Sequence, residues 1–303
     1  MADQTSRREF LGAGAALAAA GLLSGKGEAQ PARAKVYVVT CASAITQEGD
    51  KADATAVQAM LDKGICALAG KTKADEAWQA LVKPDDKVAL VDAGTWLFNV
   101  PEVFAAVAKG IQSAKPAKLA LAICKRTLDN AAYAGKLRAA LDAAGVPQAL
   151  IDTSLYVIPC KFGGDAFTLM ATLPTMKAHP VAGVSGAVKH YATLTAGKVA
   201  ALHPNGMEAA GKVLAEEFSK HRHLTILDGL RWGNARLGPT HYRKCLLLGT
   251  DPVAVDAVAL KLYLEHCKTL NNIPPERHIQ RAETEYKVGI ADLARIDVVD
   301  LKV

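Results

Sequence analysis

Short apolar runs and longer helical patterns alternate along the first half of the chain. The short runs are rich in β-branched and aliphatic residues, which predicts buried strands. The predicted strands are 35–41, 87–92, 118–124 and 149–158. Apolar residues recur at helical spacing between them, and the predicted helices are 53–69, 100–113 and 131–144. Strands that alternate with helices in this way predict a parallel sheet with crossover helices.

The second half is less regular. Its predicted strands are 167–173, 223–228, 244–250 and 297–303, and its predicted helices are 208–220 and 251–267. A loop-rich stretch with at most one short helix is expected over 174–205. We therefore predict an α/β protein with a mostly parallel, Rossmann-like sheet. Residues 35–303 form one domain, with lobes at 35–160 and 161–303 as the alternative.

The N-terminal segment is typical of a twin-arginine export signal. Arg7 and Arg8 precede an uncharged stretch of Ala, Gly and Leu over 11–23, which is too short to span a bilayer as a mature helix. We expect residues 1–29 to be a signal peptide that is cleaved after Ala29 or Ala34. A frayed apolar helix and an uncleaved anchor are the alternatives. The signal predicts a periplasmic protein that the twin-arginine export machinery carries and that keeps no stable membrane anchor.

Composition narrows the functional classes. The chain has 303 residues, of which 50% are hydrophobic and 22% charged, so it is a folded globular protein. A net charge of +6 without any block of Lys or Arg favours a small anionic ligand and gives no sign of a nucleic-acid surface. The sequence contains no dinucleotide-binding or ATP-binding glycine loop and no C-x-x-C pair, so no NAD, ATP or sequence-local iron–sulfur site is predicted.

Four polar residues follow predicted strands. Ligands of open parallel sheets bind beyond the carboxyl ends of the strands, so these residues are candidates for one site. They are Asp92, Cys124, Asp228 and Asp251. Asp251 also precedes a proline, which is typical of a helix N-cap. Asp256 lies one and a half turns further along the same predicted helix and is a candidate for the same pocket.

The segment 161–207 is unusually basic. It carries four lysines and three histidines against a single acidic residue, and they are Lys161, Lys177, Lys189, Lys198, His179, His190 and His203. Lysines beside glycines can bind an anion, and neutral imidazoles can bind a divalent metal. A solvated basic loop is the plain alternative.

A glycine-rich loop with two arginines is predicted after the strand 223–228. Arg231 and Arg236 in this loop can hold a carboxylate or phosphate in bidentate geometry. An ordinary surface loop is the alternative.

Three ordered motifs resemble the domain-of-unknown-function-362 family. They are PTMKAH with GVSGAVK at 174–189, LTILDG at 224–229 with Gly238 and Pro239, and GTDPVAVDA at 249–257. The resemblance implies a fold and a set of site residues, without a substrate. The chain departs from the family in having VDAG at 91–94 in place of a K-x-N motif and His190 in place of Asn. We also expect no counterpart of the ferredoxin-like cysteine domain that many members carry.

These observations lead to a specific functional hypothesis. We expect an exported enzyme that acts on a small anionic substrate. Whether it also uses a divalent metal is left open by the sequence. The candidate catalytic residues are Lys177, His179, Lys189 and Asp228. The candidate substrate-binding residues are Arg231, Arg236, Asp92 and His190. The candidate metal ligands are His179, His203, Asp251 and Asp256. A non-catalytic carrier of a small anion or metal and a redox partner protein are the alternatives.

Overall fold

The computed structural model describes most of the chain beyond residue 32. The described ranges are 33–46, 51–92, 94, 97–153, 166–194, 202–203, 207–234, 238–266 and 277–303. The predicted signal peptide 1–29, Arg236 and the lobe boundary near residue 160 lie outside them. Within these ranges, no helix combines the length and apolarity that a membrane crossing requires.

The strands of the described residues form one large sheet and one small ribbon. Their bounds are β1 Ala34–Thr40, β2 Ile45–Thr46, β3 Lys51–Ala52, β4 Lys87–Val91, β5 Lys118–Ala122, β6 Leu169–Thr172, β7 Thr175–His179, β8 Gly183–Ser185, β9 Arg222–Asn234, β10 Gly238–His241, β11 Cys245–Gly249 and β12 Ile296–Lys302. The main sheet has the order β12-β1-β11-β9-β6-β4-β5, and β2 pairs with β3 separately. Because β1 lies between β11 and β12, strands from both halves of the chain share this sheet.

Most neighbouring strands of the main path run parallel. The exceptions are the two pairs made by β11, which is antiparallel to both β1 and β9. β7 continues beyond the end of β6 and pairs with the upper part of β9 in parallel, while β8 returns antiparallel to β7. The prediction of a mostly parallel α/β sheet is therefore confirmed.

Helices cover both faces of the sheet. Their bounds are α1 Ala54–Ala69, α2 Ala74–Leu81, α3 Pro101–Ser113, α4 Lys125–Leu128, α5 Ala131–Ala144, α6 Ala187–Thr193, α7 Ala210–Val213, α8 Pro252–His266 and α9 His278–Thr284. A π-helical turn, Leu214–Phe218, continues α7, and 3₁₀ turns lie at Gln148–Leu150 and Leu293–Arg295. Helices α1 to α5 contribute to one hydrophobic core and α6 to α9 to the other.

Strand periodicity explains the two cores. In β4, Val88 and Leu90 face the first core while Ala89 and Val91 face the second, and all four are buried. A strand that is buried on both faces shows an unbroken apolar run, which is why the sequence identified this strand.

Three parts of the second half differ from the sequence prediction. The loop expected over 174–205 holds strands β7 and β8 before the short helix α6. The glycine-rich loop expected after Asp228 is instead the continuation of β9, where Leu230 and Trp232 are buried and β10 pairs back antiparallel. Helix α9 is absent from the prediction, as is helix α2 in the first half of the chain.

Part of the first half also differs from its prediction. The strand expected over 149–158 begins as a 3₁₀ turn, and only Ile151 bridges to Leu121. The rest of that expected strand, from residue 154, lies outside the described residues.

Candidate functional site

The sheet reverses its winding between β4 and β6. The chain leaves β4 through α3 towards β5 on one side, and leaves β6 towards β9 on the other. Such a switch point opens a crevice outside the carboxyl ends of the two strands, which is where open α/β sheets bind ligands. Asp92 follows β4 directly, and Lys177 lies on β7 just beyond β6.

Lys177 is buried at the carboxyl ends of these strands. Its side chain is buried, and its Nζ donates to the carbonyl of Leu97 at 3.3 Å and to Thr175 Oγ1 at 3.5 Å. Burial and then the positive charge of Lys189 lower the pKa of Lys177 to about 7, while the carboxylate of Asp92 opposes this shift. A lysine of this kind is partly neutral near neutral pH and can exchange a proton there.

Lys189 is a second buried lysine, carried by α6. Burial lowers its pKa to about 8. Within the described part of the chain it forms no ion pair and no hydrogen bond through its side chain. Buried ammonium groups are almost always paired, so this position favours a bound anion.

Asp256 of α8 fixes the start of α6. Its two carboxylate oxygens accept the backbone N–H groups of Ala187 at 2.6 Å and Val188 at 2.8 Å. Gly186 allows this approach, because a Cβ there would lie 2.4 Å from Asp256 Oδ1. Burial raises the pKa of Asp256 to about 7. Asp256 therefore positions the helix that carries Lys189 and His190.

His179, at the end of β7, has a defined tautomer. Its Nδ1 accepts the backbone N–H groups of Val181 at 3.2 Å and Ala182 at 3.1 Å, so the neutral ring carries its proton on Nε2. Burial and then the charge of Lys189 lower the pKa of His179 to about 3. This arrangement favours a hydrogen-bond donor over a general base or a metal ligand. The ring of His203 lies beside it, with centroids 5.6 Å apart.

His190 joins the same cluster from α6. It is buried, and burial followed by the charges of Lys177 and Lys189 lowers its pKa to about 3. A hydrogen bond with the backbone of Asp92 opposes that shift. His190 therefore links α6 to the end of β4.

His278 of α9 is a site residue that the sequence did not identify. It is fully buried, and neither ring nitrogen has a hydrogen-bond partner among the described residues. Burial and then the charge of Lys189 lower its pKa to about 3, and its own ring contributes to the lowered pKa of His179. No motif marks this histidine, because its only local signal is the short helix that buries Ile279 and Ala282 beside it.

Asp92 is the carboxylate that lies near Lys177. It accepts the N–H of Cys124 at 3.1 Å and the hydroxyl of Thr127 at 2.9 Å. Burial raises its pKa to about 6, while these hydrogen bonds and Lys177 oppose the shift. Asp92 thus anchors the segment after β5 and also balances part of the positive charge of Lys177.

Asp228 and Arg231, both on β9, hold the segment that precedes α3. Asp228 accepts the N–H of Val100 at 2.6 Å and of Leu230 at 3.1 Å, and burial raises its pKa. Arg231 donates to the carbonyl of Phe98 at 3.0 Å. Because both side chains are engaged with backbone groups, they position the segment 97–100 that crosses the end of the sheet.

Asp251 lies near the amino ends of the parallel strands, at the opposite end of the sheet from the cluster. The predicted position of Asp251 beside Asp92 requires β11 to run parallel to its neighbours, and β11 runs antiparallel to both β1 and β9. Asp251 accepts the N–H groups of Val253, Ala254 and Ile290, so it caps α8.

The four predicted metal ligands do not form one donor set. His179 and His203 are neighbours, but Asp251 and Asp256 both accept backbone N–H groups elsewhere. Across the residues that the structure describes, no three His, Cys, Asp or Glu side chains come close enough to hold a metal ion.

The cluster has a marked excess of hydrogen-bond donors and positive charge. We define the lysine–histidine cluster as the two lysines, the four histidines and the one carboxylate described above, namely Lys177, Lys189, His179, His190, His203, His278 and Asp92. Such a set can neutralise an anion in a dry environment and can stabilise negative charge that develops during a reaction.

A comparison with protein-family models gives one match. The model described as Domain of unknown function (DUF362) matches residues 87–261. The match begins with β4 and ends within α8, so it covers most of the cluster, while His278 lies outside it. Searches of curated proteins and of solved structures returned no significant match.

Proposed function

The chain belongs to the DUF362 family, and from this premise we propose that it is an exported, periplasmic enzyme that acts on a small anionic substrate at the lysine–histidine cluster. The location rests on Arg7, Arg8 and the apolar stretch that follows them.

One observation supports the substrate class above all. Lys177 and Lys189 are both buried, and the carboxylate of Asp92, whose own pKa is raised to about 6, lies near Lys177. Among the described residues, Lys189 has no carboxylate partner, so its buried ammonium group contributes uncompensated positive charge. An anionic substrate would supply the missing negative charge and would stabilise the protonated lysines.

The cluster also supports a division of roles. Lys189 would bind the anion, since burial alone shifts its pKa and it stays largely protonated at neutral pH. Lys177 would hold or release a proton near pH 7, beside Asp92. His179 would donate through Nε2–H to the substrate or to the negative charge that develops on it.

A divalent metal is not needed for these roles. A metal would have to bind donors other than the four predicted ligands taken together, since two of them serve as helix caps.

A non-catalytic carrier of a small anion is the second candidate. The observation that favours it is the low pKa of about 3 for His179, His190 and His278, because imidazoles of this kind do not titrate near neutral pH. In this function the lysines would bind the anion and no proton transfer would occur.

A turnover assay separates the two candidates. The protein is purified from the periplasm, and its N-terminal residue and metal content are determined. It is then incubated with a panel of carboxylic acids, phosphate monoesters and sulfate esters, and conversion is followed by NMR. We expect turnover of at least one class, a loss of about 100-fold in Lys177→Met, and no change in the exposed control Lys261→Met. If the folded protein binds sulfate but converts no compound of the panel, the enzymatic function is refuted and the carrier function is supported.

A further inference from the structure

A cavity lies on the other side of the segment 97–100 from the lysine–histidine cluster. Its volume is about 480 Å³, and its walls come from the starts of α3 and α5, from β3 and from β9. The segment separates the two sites, because Leu97 accepts a hydrogen bond from Lys177 while Phe98 lines the cavity. The cavity is adjacent to the cluster, since the charges of Asp92 and Asp228 add to burial in raising the pKa of Tyr133, but its lining shares no residue with the cluster.

Two aromatic rings form one wall. Phe98 and Tyr133 lie with ring centroids 4.5 Å apart and an angle of 33° between their planes. Val100 and Pro101 extend this apolar wall. A wall of this kind favours a flat ring, since aromatic pairs gain free energy in offset-stacked and tilted arrangements beyond the burial of apolar area.

The rim of the cavity is positively charged. Lys51, Lys136 and Arg231 line it against a single acidic residue, Glu102. The amino ends of α3 and α5 add partial positive charge, because the macrodipoles of these two helices point their positive ends at the cavity. An anionic group on the ligand would lie at this rim.

We propose that the cavity is a ligand site for a planar aromatic anion, that is, an aromatic or heteroaromatic ring bearing a carboxylate or phosphate. The ring packs against Phe98 and Tyr133, and the anionic substituent lies near Lys136 and Lys51. The site does not depend on the activity proposed for the cluster.

Isothermal titration calorimetry with phenyl phosphate and with benzoate tests this site. We expect both probes to bind and cyclohexyl phosphate to bind at least several-fold more weakly, because its ring is not flat. Lys136→Glu should weaken the binding of phenyl phosphate by about tenfold. Phe98→Leu should reduce the preference for phenyl phosphate over cyclohexyl phosphate. Glu102→Gln should strengthen binding, and this gain cannot arise from misfolding.

The lysine cluster supplies the control. Because the cluster is also proposed to bind small anions, the titrations are made with sulfate in excess to occupy the cluster, and the remaining binding of phenyl phosphate should be equal in wild type and Lys189→Met. The proposal is overturned if neither probe binds, if Lys136→Glu and Phe98→Leu leave binding as in wild type, or if Lys189→Met alone abolishes it. Failure of the cavity proposal is distinguishable from failure of the proposed enzyme, because the enzymatic activity is tested separately by comparing turnover in wild type and Lys177→Met.

Discussion

Two buried lysines dominate the electrostatics of this protein at the scale of single residues. A lysine loses hydration free energy when it is buried, and the protein responds by lowering its pKa. Lys177 and Lys189 both show this response, and at Lys177 the positive charge of Lys189 adds to the effect of burial. Their free-energy cost is the physical basis for expecting an anion.

The pH dependence of ligand stabilisation follows from these shifts. The pKa of Lys177 falls from 10.5 to about 7, so above about pH 7 the folded state holds fewer protons than the unfolded state. Without a ligand, these lysines therefore make the free energy of unfolding rise with pH above 7, and their burial cost is fully present below it. A bound anion offsets that cost only while the lysines are protonated.

We therefore predict that sulfate raises the melting temperature most at about pH 6 and progressively less towards about pH 9. Differential scanning fluorimetry with chloride at matched ionic strength measures the effect, and sulfate keeps a constant charge over this range. In Lys189→Met the sulfate effect should be small at every pH. A wild-type sulfate effect of the same size at both ends of the range would contradict the account.

At the scale of elements, α6 depends on a carboxylate from another helix. Its first turn has no side-chain cap of its own, and Asp256 of α8 accepts two of its N–H groups instead. This long-range cap sets where Lys189 and His190 lie. A change that disturbs it should affect stability and anion binding together.

Gly186→Ala tests this cap. A Cβ at Gly186 would lie 2.4 Å from Asp256 Oδ1, so the carboxylate or the helix must move. We expect a loss of about 2–4 kcal/mol in the free energy of unfolding and weaker sulfate binding. Asp256→Asn, which keeps one acceptor oxygen, should cost about 1–3 kcal/mol.

Gly135→Ala is the matched control for this experiment. Gly135 lies within α5, and a Cβ there would meet no atom within 4 Å. The free energy of unfolding of this control, measured by urea denaturation, should rise by about 0.5–1 kcal/mol, because alanine favours the helix more than glycine does. The role of the cap would be refuted if Gly186→Ala behaved like Gly135→Ala.

The elements that the sequence predicted well are those with one dominant pattern. The strand at 87–92 and the helix at 131–144 each follow a clear apolar period and end at recognisable signals, such as Gly145 with its φ of 72°. Strands β7 and β8 were missed because Lys177 and His179 are buried polar residues, which a hydrophobic pattern cannot distinguish from a loop.

Strand direction limited the prediction of the site. The position of Asp251 after β11 suggested the same sheet edge as Asp92, but nothing in a single sequence shows that β11 runs antiparallel. The contribution of His278 was also inaccessible, because it lies about 90 residues after Lys189 in the chain and reaches the cluster only through the packing of α9.

At the scale of the whole molecule, the sheet brings together segments that are distant in sequence. Asp92 comes from the end of β4, Lys177 and His179 from β7, Lys189 from α6 and His278 from α9. They meet at the switch point of the sheet, and the segment 97–100 separates them from the aromatic cavity. The fold thus presents two neighbouring basic sites of different character, one buried and one lined by aromatic rings.

The measurement that tests the central claim most directly is a calorimetric titration of sulfate into wild-type protein and Lys189→Met at about pH 6.5. The account predicts binding to wild type, at least about tenfold weaker binding in Lys189→Met, and wild-type behaviour in Lys261→Met. It also predicts that Lys189→Met is more thermally stable than wild type without ligand, because a buried charge with no partner among the described residues is removed. Sulfate binding of equal strength in wild type and Lys189→Met, or no sulfate binding by folded wild type, would contradict it.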